Sequence, residues 1–256
     1  MNGISSILLP EGFRHEALGE VQSTNLTCLE RARDGDPGNL WITAQRQSTG
    51  KGSRGRGWVS EEGNLYASLL LKEPGPAGSL HTLTFVASLA IRDCLLALNG
   101  AGLLRITLKW PNDVLVNGGK IAGILLESHV LGGSRYVIIG IGINAAHHPQ
   151  QTLYPATSLK DEGITVSLEE LLQHLARAVA NRFRQWDGGQ GIAKIRSDWL
   201  AAAQGIGEMI EIRMPASGGE KVLTGRFEGI DENGLLILGG AGGRREHISV
   251  ADIFFA

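Results

Sequence analysis

Apolar positions recur along the chain with two periods. Alternating or short continuous apolar runs predict strands near 14–21, 40–44, 64–71, 105–108, 114–116, 121–126 and 136–144. Asn117-Gly118-Gly119, set between two such runs, is a hairpin signal. Three- and four-residue spacing predicts helices instead. Leu26, Leu29 and Ala32 mark one over about 24–34, with Ser23-Thr24-Asn25 as residues that cap helices. Leu80, Leu83, Ala87, Ala90, Cys94 and Leu98 mark a second over about 79–98, with Cys94 on its apolar face. Ser167-Leu168-Glu169-Glu170 is a capping box that opens a third, running to Trp186 with Leu171, Leu172, Leu175, Val179 and Phe183 inward. A fourth helix is expected over about 191–203.

From about residue 206 the pattern changes to short strands, at 209–214, 221–229 and 234–238, with a turn at Asp231-Glu232-Asn233-Gly234. Strands at such spacing suggest a small barrel or sandwich. The expectation is therefore an α+β chain: a mixed sheet with helices over 1–205 and a small β unit over 206–256.

Composition narrows the function classes. With 256 residues, 43% hydrophobic and 20% charged, the chain can bury a substantial core. A net charge of −2 gives no general attraction to nucleic acid or anionic membrane. Neither partner is expected. Cys28 and Cys94 form no metal or disulfide pattern, which fits a reducing cytoplasm. No signal peptide and no 18-residue apolar span is read in the sequence.

The chemistry concentrates at 47–58, Gln47-Ser48-Thr49-Gly50-Lys51-Gly52-Ser53-Arg54-Gly55-Arg56-Gly57-Trp58. It holds four glycines, three cations and no acidic residue. Such a loop lets backbone approach a ligand closely and surrounds an anion with charge-assisted donors. Its glycine content predicts ordering on a ligand. Taken alone, it reads equally well as a solvated basic loop. It joins two strands and lacks the Gly-Lys-Ser/Thr of a nucleotide loop in front of a helix. Gly140-Ile141-Gly142-Ile143-Asn144 ends a buried strand, and a glycine pair there marks close approach of a ligand or another backbone. His147-His148 lacks metal-ligand spacing and reads as loop surface.

Together these stretches resemble the biotin–protein ligase family. The resemblance rests on Ser23-Thr24-Asn25, the glycine loop, Gly63-Asn64-Leu65-Tyr66, Lys109-Trp110-Pro111-Asn112-Asp113, Lys120-Ile121-Ala122-Gly123-Ile124-Leu125-Leu126-Glu127, Gly140–Asn144 and Ala156-Thr157-Ser158-Leu159, in the family's order and spacing over about 14–256. It implies a catalytic domain related to class II aminoacyl-tRNA synthetases and an SH3-like C-terminal barrel. It implies the short form, without an N-terminal DNA-reading domain. It also implies a two-step reaction. Biotin and MgATP give biotinyl-5′-adenylate and pyrophosphate, and a lysine of a biotin carboxyl carrier domain then takes the biotinyl group.

The resemblance further implies roles. Lys120 lies between the biotin carboxylate and the α-phosphate, and Arg56 reaches phosphate. Ser23, Thr24 and Gln47 bond the ureido end of biotin, with Asn25, Gly50, Lys51, Gly140 and Gly142 around it. Ser53, Arg54, Trp58, Asn112 and Asn144 serve the nucleotide end, and Asp113 is a magnesium ligand. Ser53 departs from the arginine many members carry there, and Lys51 replaces another. Without the motif, Lys120 reads as a solvated hairpin lysine, Trp58 as core, and Ser23, Thr24 and Asn25 as a helix cap. The competing functions are a lipoate–protein ligase or related acyltransferase and a non-catalytic biotin-sensing regulator. A homodimer is compatible with the family.

Overall fold

The computed structural model describes residues 7–100, 102, 104–150, 152, 154–216, 219–249 and 251–255. It opens with β1 (Arg14–Val21), α1 (Thr24–Arg33) and β2 (Leu40–Gln47). The helix returns the chain so that β1 and β2 pair in parallel. β3 (Leu65–Lys72) then pairs antiparallel with β2. α2 (Leu83–Leu98) leads to β4 (Ile106–Lys109), β5 (Asp113–Val116), β6 (Gly119–Leu131) and β7 (Ser134–Ile143). These seven strands form one mixed sheet in the order β1-β2-β3-β7-β6-β5-β4. Asn117 and Gly118 turn the β5–β6 hairpin with φ of 50° and 86°, the left-handed values such a turn demands.

Strand alternation sorts the two faces of the sheet. On β3, Leu65, Ala67, Leu69 and Leu71 enter the large core, as do Val137, Ile139, Ile141 and Ile143 of β7. That core is covered by α2, by α3 (Leu168–Trp186) and by α4 (Ile192–Ala201). The opposite face carries Leu70, Tyr136 and Ile138, which pack with Cys28 and Ala32 of α1. Cys94 is 1% exposed within the large core, as its helical spacing suggests. Ser167 caps α3 by accepting from the Glu170 backbone N–H at 3.1 Å.

The second sheet is built from β8 (Met209–Ala216), β9 (Gly219–Ile230), β10 (Leu236–Gly239), β11 (Arg245–Ile248) and β12 (Asp252–Phe255). It is antiparallel throughout, in the order β11-β10-β9-β8-β12. β11 and β12, four residues each, carry too short a pattern to be read from the sequence. The large core continues into this unit through Ile210, Phe227 and Leu236, and Trp110 Nε1 donates to the Gly234 carbonyl at 3.0 Å.

Two expectations need correction. Ser23 sits at the N-cap of α1 yet makes no side-chain cap bond. The side chains of Thr24 and Asn25 bond across to Gln47, Ser68 and Glu127 instead. The polar triplet thus serves the interior beside α1 more than its end. Residues 77–98 are also long and apolar enough to cross a membrane by length and composition, where the sequence reading found no such stretch. An 18-residue window of this segment is 67% buried inside the protein, as the helix lies at the centre of the core.

Candidate active site

Three glycines on the α1 side of the sheet leave a floor without side chains. Gly142 pairs with Tyr66 and Gly123, and Gly140 pairs with Ser68 and Leu125. A methyl on Gly140 would lie 2.3 Å from Asn25 Oδ1, and one on Gly142 would lie 2.6 Å from the Trp58 indole. Gly123 meets the same indole, at 2.8 Å. The close approach at the glycine pair, expected from a ligand or another backbone, is made by the side chains of Asn25 and Trp58.

Above this floor lies a cavity of about 330 Å³. Ser23, Thr24, Asn25 and Gln47 line one part of it, and Lys51, Ser53, Arg56 and Trp58 close it from the loop. Asn112, Lys120, Gly140, Gly142 and Asn144 complete the predicted residues that line it. Gly50, Arg54 and Asp113 do not line the cavity. Gly50 sits where the loop's two arms meet, with its carbonyl accepting from Trp58 N at 2.9 Å. The loop has its own frame, since Lys51 bridges Gly57 and Gly52 N donates to the Arg56 carbonyl at 2.7 Å.

The cations are held from below and beside. Lys120 Nζ lies 2.6 Å from Asp113 Oδ1 and 5.4 Å from the Trp58 ring centroid. Its backbone is clamped to the 155–157 segment: Lys120 N donates to the Pro155 carbonyl at 2.8 Å, and Thr157 N donates to the Lys120 carbonyl at 3.0 Å. Arg56 Nη1 lies 3.2 Å from Asp252 Oδ1, and its Nη2 donates to Ser53 Oγ at 3.2 Å. Asn112 Nδ2 donates to the Ile124 carbonyl at 2.6 Å. Asn144 Nδ2 is spent on the Lys120 and Thr157 carbonyls. Both amides thereby frame the cavity beside Lys120. Asn64 Oδ1 accepts from the backbone N–H groups of Ala145, Ala146 and His147, which fixes the chain just past Asn144. His147 and His148 are half-buried rather than loop surface, and His148 lies 3.4 Å from Asp161.

Several lining residues carry no role in the sequence analysis: Tyr66 and Gly123, although both stand in its motif stretches, and Thr152 and Tyr154. Tyr66 and Gly123 reach the site because strand pairing puts them in the row of Gly142, which no local pattern reveals. Tyr154 stands against Lys109, whose Nζ is 3.2 Å from its ring centroid, and stacks on Phe254 at 4.9 Å. Burial pushes the Tyr154 phenol up to about 12 and pulls Lys109 down to about 8. The Trp58 indole N–H is buried against Gly142, without a hydrogen-bond partner among the described residues.

Polar side chains, a glycine floor closely overlaid by Asn25 and Trp58, and cations on one cavity suit an anionic ligand with a polar group of its own. Comparison with known proteins decides which kind. Residues 18–144 match the model of the biotin/lipoate A/B protein ligase family, and residues 205–256 match that of the biotin protein ligase C-terminal domain. A biotin–[acetyl-CoA-carboxylase] ligase of Paracoccus denitrificans is 44% identical over 93% of this chain and 99% of its own length. The chain belongs to the biotin protein ligase family. The bifunctional ligase/repressor BirA of Escherichia coli is 32% identical over 89% of this chain and 70% of its own. Among solved structures, biotin protein ligase from Aquifex aeolicus in complex with biotin and ATP superimposes with a TM-score of 0.78, at 25% identity. It spans 95% of this chain and 99% of that one.

Proposed function

We propose that this member of the family joins biotin to ATP as biotinyl-5′-adenylate and transfers the biotinyl group to one lysine of a biotin carboxyl carrier domain. The observation that carries this is the placement of Lys120 and Arg56 on one cavity with Thr24 and Gln47. A biotin carboxylate oxygen attacks the α-phosphorus, and the bond to the bridging oxygen of pyrophosphate breaks. Two anions must meet in this step. Lys120 sits between them and stabilises the charge that builds on the α-phosphoryl group, and Arg56 takes phosphate. The lysine amine of the carrier then attacks the acyl carbon and AMP leaves.

Ser23, Thr24, Asn25 and Gln47 take the ureido end, with Gly140 and Gly142 letting Asn25 and Trp58 lie close to the sheet beside the bicyclic ring and Lys51 and Gly50 shaping the loop above it. Ser53, Trp58, Asn112 and Asn144 face the nucleotide. Arg54 supports the loop. Asp113, which lies behind Lys120 at 2.6 Å and does not line the cavity, would offer magnesium carried in with ATP a hard oxygen donor if Lys120 turned from it to phosphate, and the ion would supply neutralisation of phosphate charge. One carboxylate suits that ion, because Mg²⁺ keeps waters and phosphate oxygens as its other ligands. We assign 1–205 to catalysis and 206–256 to a C-terminal unit, and place the reaction in the cytoplasm. A homodimer is compatible with it.

A lipoate ligase would have no use for four polar side chains at the far end, since lipoate carries no ureido group there. Incubation with ATP, magnesium, an apo carrier domain and either biotin or lipoate tests the choice. The expected result is the mass gain of one biotinyl group on one carrier lysine and none with lipoate. No gain with biotin overturns the reading and returns the chain to the regulator class.

A further inference from the structure

A continuous hydrogen-bonded chain enters the polar end of the cavity from Glu127, which does not itself line it. Glu127 Oε2 accepts from Asn25 Nδ2 at 2.6 Å. Asn25 Oδ1 lies 2.6 Å from Ser68 Oγ, and Ser68 Oγ lies 2.7 Å from Thr24 Oγ1. From the other side, Gln47 Oε1 accepts from the Thr24 backbone N–H at 2.9 Å and stands 3.1 Å from Thr24 Oγ1. Gln47 Nε2 donates to Ser60 Oγ at 2.9 Å, and Ser60 Oγ donates to the Trp58 carbonyl at 2.9 Å. Ser68 is fully buried, and Thr24 and Asn25 are 4% and 5% exposed, so their contacts within the chain are shielded from bulk water.

Proton counting fixes the direction of the chain. A carboxylate only accepts, so the Asn25 amide nitrogen faces Glu127 and its oxygen faces Ser68. That oxygen also only accepts, so the single Ser68 proton goes to Asn25. Ser68 then accepts from the Thr24 hydroxyl. At the other end, a backbone N–H is an obligate donor, which makes Gln47 Oε1 an acceptor as well. Both protein partners of Thr24 Oγ1 therefore draw its proton inward. Only lone pairs remain for the cavity. The second Nε2 proton of Gln47 has no partner among the described residues and remains a donor.

We propose that Glu127 is a positioning residue that sets this polarity through Asn25 and Ser68, so that Thr24 meets an N–H of the ligand. The inference rests on biotin as the ligand, whose cyclic urea carries an N–H on each side of its carbonyl. Without the carboxylate the Asn25 amide is free to turn over and donate to Ser68. Ser68 then supplies a proton to Thr24, and the Thr24 proton is released to face either Gln47 or the cavity. The acceptor is no longer preset.

The test compares Glu127→Leu, Glu127→Gln and Ser68→Ala with the parent, by calorimetric biotin binding and by steady-state adenylation. Glu127→Leu is expected to raise the Kd and KM for biotin roughly 10-fold, the loss of about one well-made buried hydrogen bond, with kcat and the KM for ATP held within about 2-fold. Glu127→Gln, whose amide can accept from Asn25 or donate to it, leaves the polarity unset and should fall between the parent and Glu127→Leu. The parent should also reject a biotin analogue with a ring oxygen in place of one N–H more strongly than Glu127→Leu does. Should Glu127→Leu not fold, Ser68→Ala breaks the same chain at a residue without charge and should show the same split. Parental biotin affinity in the folded Glu127→Leu and Ser68→Ala variants, or a Glu127→Gln at full parental affinity, overturns the proposal alone. A parent that binds no biotin overturns the proposed function together with it.

Discussion

Arg54 donates to Asp252 at 2.7 Å although 198 positions separate them in the chain. The contact ties the glycine loop to β12, the last strand of the second sheet. Arg54 makes it from left-handed backbone, with φ of 60° and ψ of 32°. That conformation costs a residue with a side chain about 1–2 kcal/mol and persists where surrounding contacts hold it. Arg56 shares the same carboxylate at a longer 3.2 Å and is the more exposed of the two. Arg54 is the anchor, and Arg56 is the one free to turn to a ligand.

Asp252→Asn removes the charge that both arginines share. The ligand-free variant should be cut by trypsin at Lys51, Arg54 and Arg56 several-fold faster than the parent, the change expected when a loop loses its main tether. Biotin should suppress cleavage in both proteins. Equal cleavage of parent and variant without ligand would show that β12 does not restrain the loop.

Lys120→Ala should lower pyrophosphate release by about 10²-fold or more, the usual effect of deleting a fixed cation from a charge-building step. Biotin binding should suffer far less. The variant leaves Asp113 without the ion pair it makes at 2.6 Å, so Lys120→Met, which keeps the apolar stem, serves as the second measurement. Near-parental adenylation in either would rule out the assigned role.

Much of this arrangement was legible in the sequence, and the reason is local. The β5–β6 hairpin follows from Asn117-Gly118, and the α3 start follows from Ser167 and Glu170. The site motifs were legible because each is one continuous stretch of chain. What pairs them was not. Tyr66, Gly123 and Gly142 form one row only through the register of β3, β7 and β6. Asp252 lies in a four-residue strand without a readable pattern, and its partners are nearly the whole chain away. Glu127 stood inside a recognised motif. Its use became visible only with Asn25 brought to 2.6 Å.

Lys109 gives a pH test of the core. It is 6% exposed, between the rings of Tyr154 and Phe255, and burial lowers it from 10.5 to about 8, with Asp113 opposing. The folded protein releases this proton before the unfolded chain does. Between pH 8 and 10.5 the unfolded state therefore binds more protons, and stability from this group rises with pH across that window. Below pH 8 both states are protonated and the full cost of the buried charge is present. Tyr154, raised to about 12, stays neutral throughout. Urea denaturation at pH 7, 8, 9 and 10 should show Lys109→Met gaining on the parent at pH 7 and losing that advantage by pH 10. A constant difference across the series would mean that Lys109 titrates as in water.

At Ser53 the family resemblance leads one to expect an arginine that restrains the adenylate. The structure places instead a hydroxyl that accepts from Arg56 Nη2 at 3.2 Å, leaving one guanidinium on the cavity at this part of the loop. Arg54, the nearest substitute, faces Asp252 and does not line the cavity. Fewer cations on the intermediate mean faster escape, and escaped biotinyl-adenylate acylates lysines without recognising a carrier. The parent should therefore release free adenylate and biotinylate itself. Ser53→Arg should reduce both, by about 10-fold if the new guanidinium gains one charge-assisted hydrogen bond to the phosphate. Arg54→Ala should loosen the loop to trypsin and change adenylate release less than Ser53→Arg does. Mass spectrometry of free adenylate for the parent and both variants separates these outcomes. If Ser53→Arg leaves release unchanged, retention is set elsewhere in the cavity. If Arg54→Ala raises it strongly, Arg54 leaves Asp252 for the ligand, and the anchor reading of the Arg54–Asp252 pair is wrong.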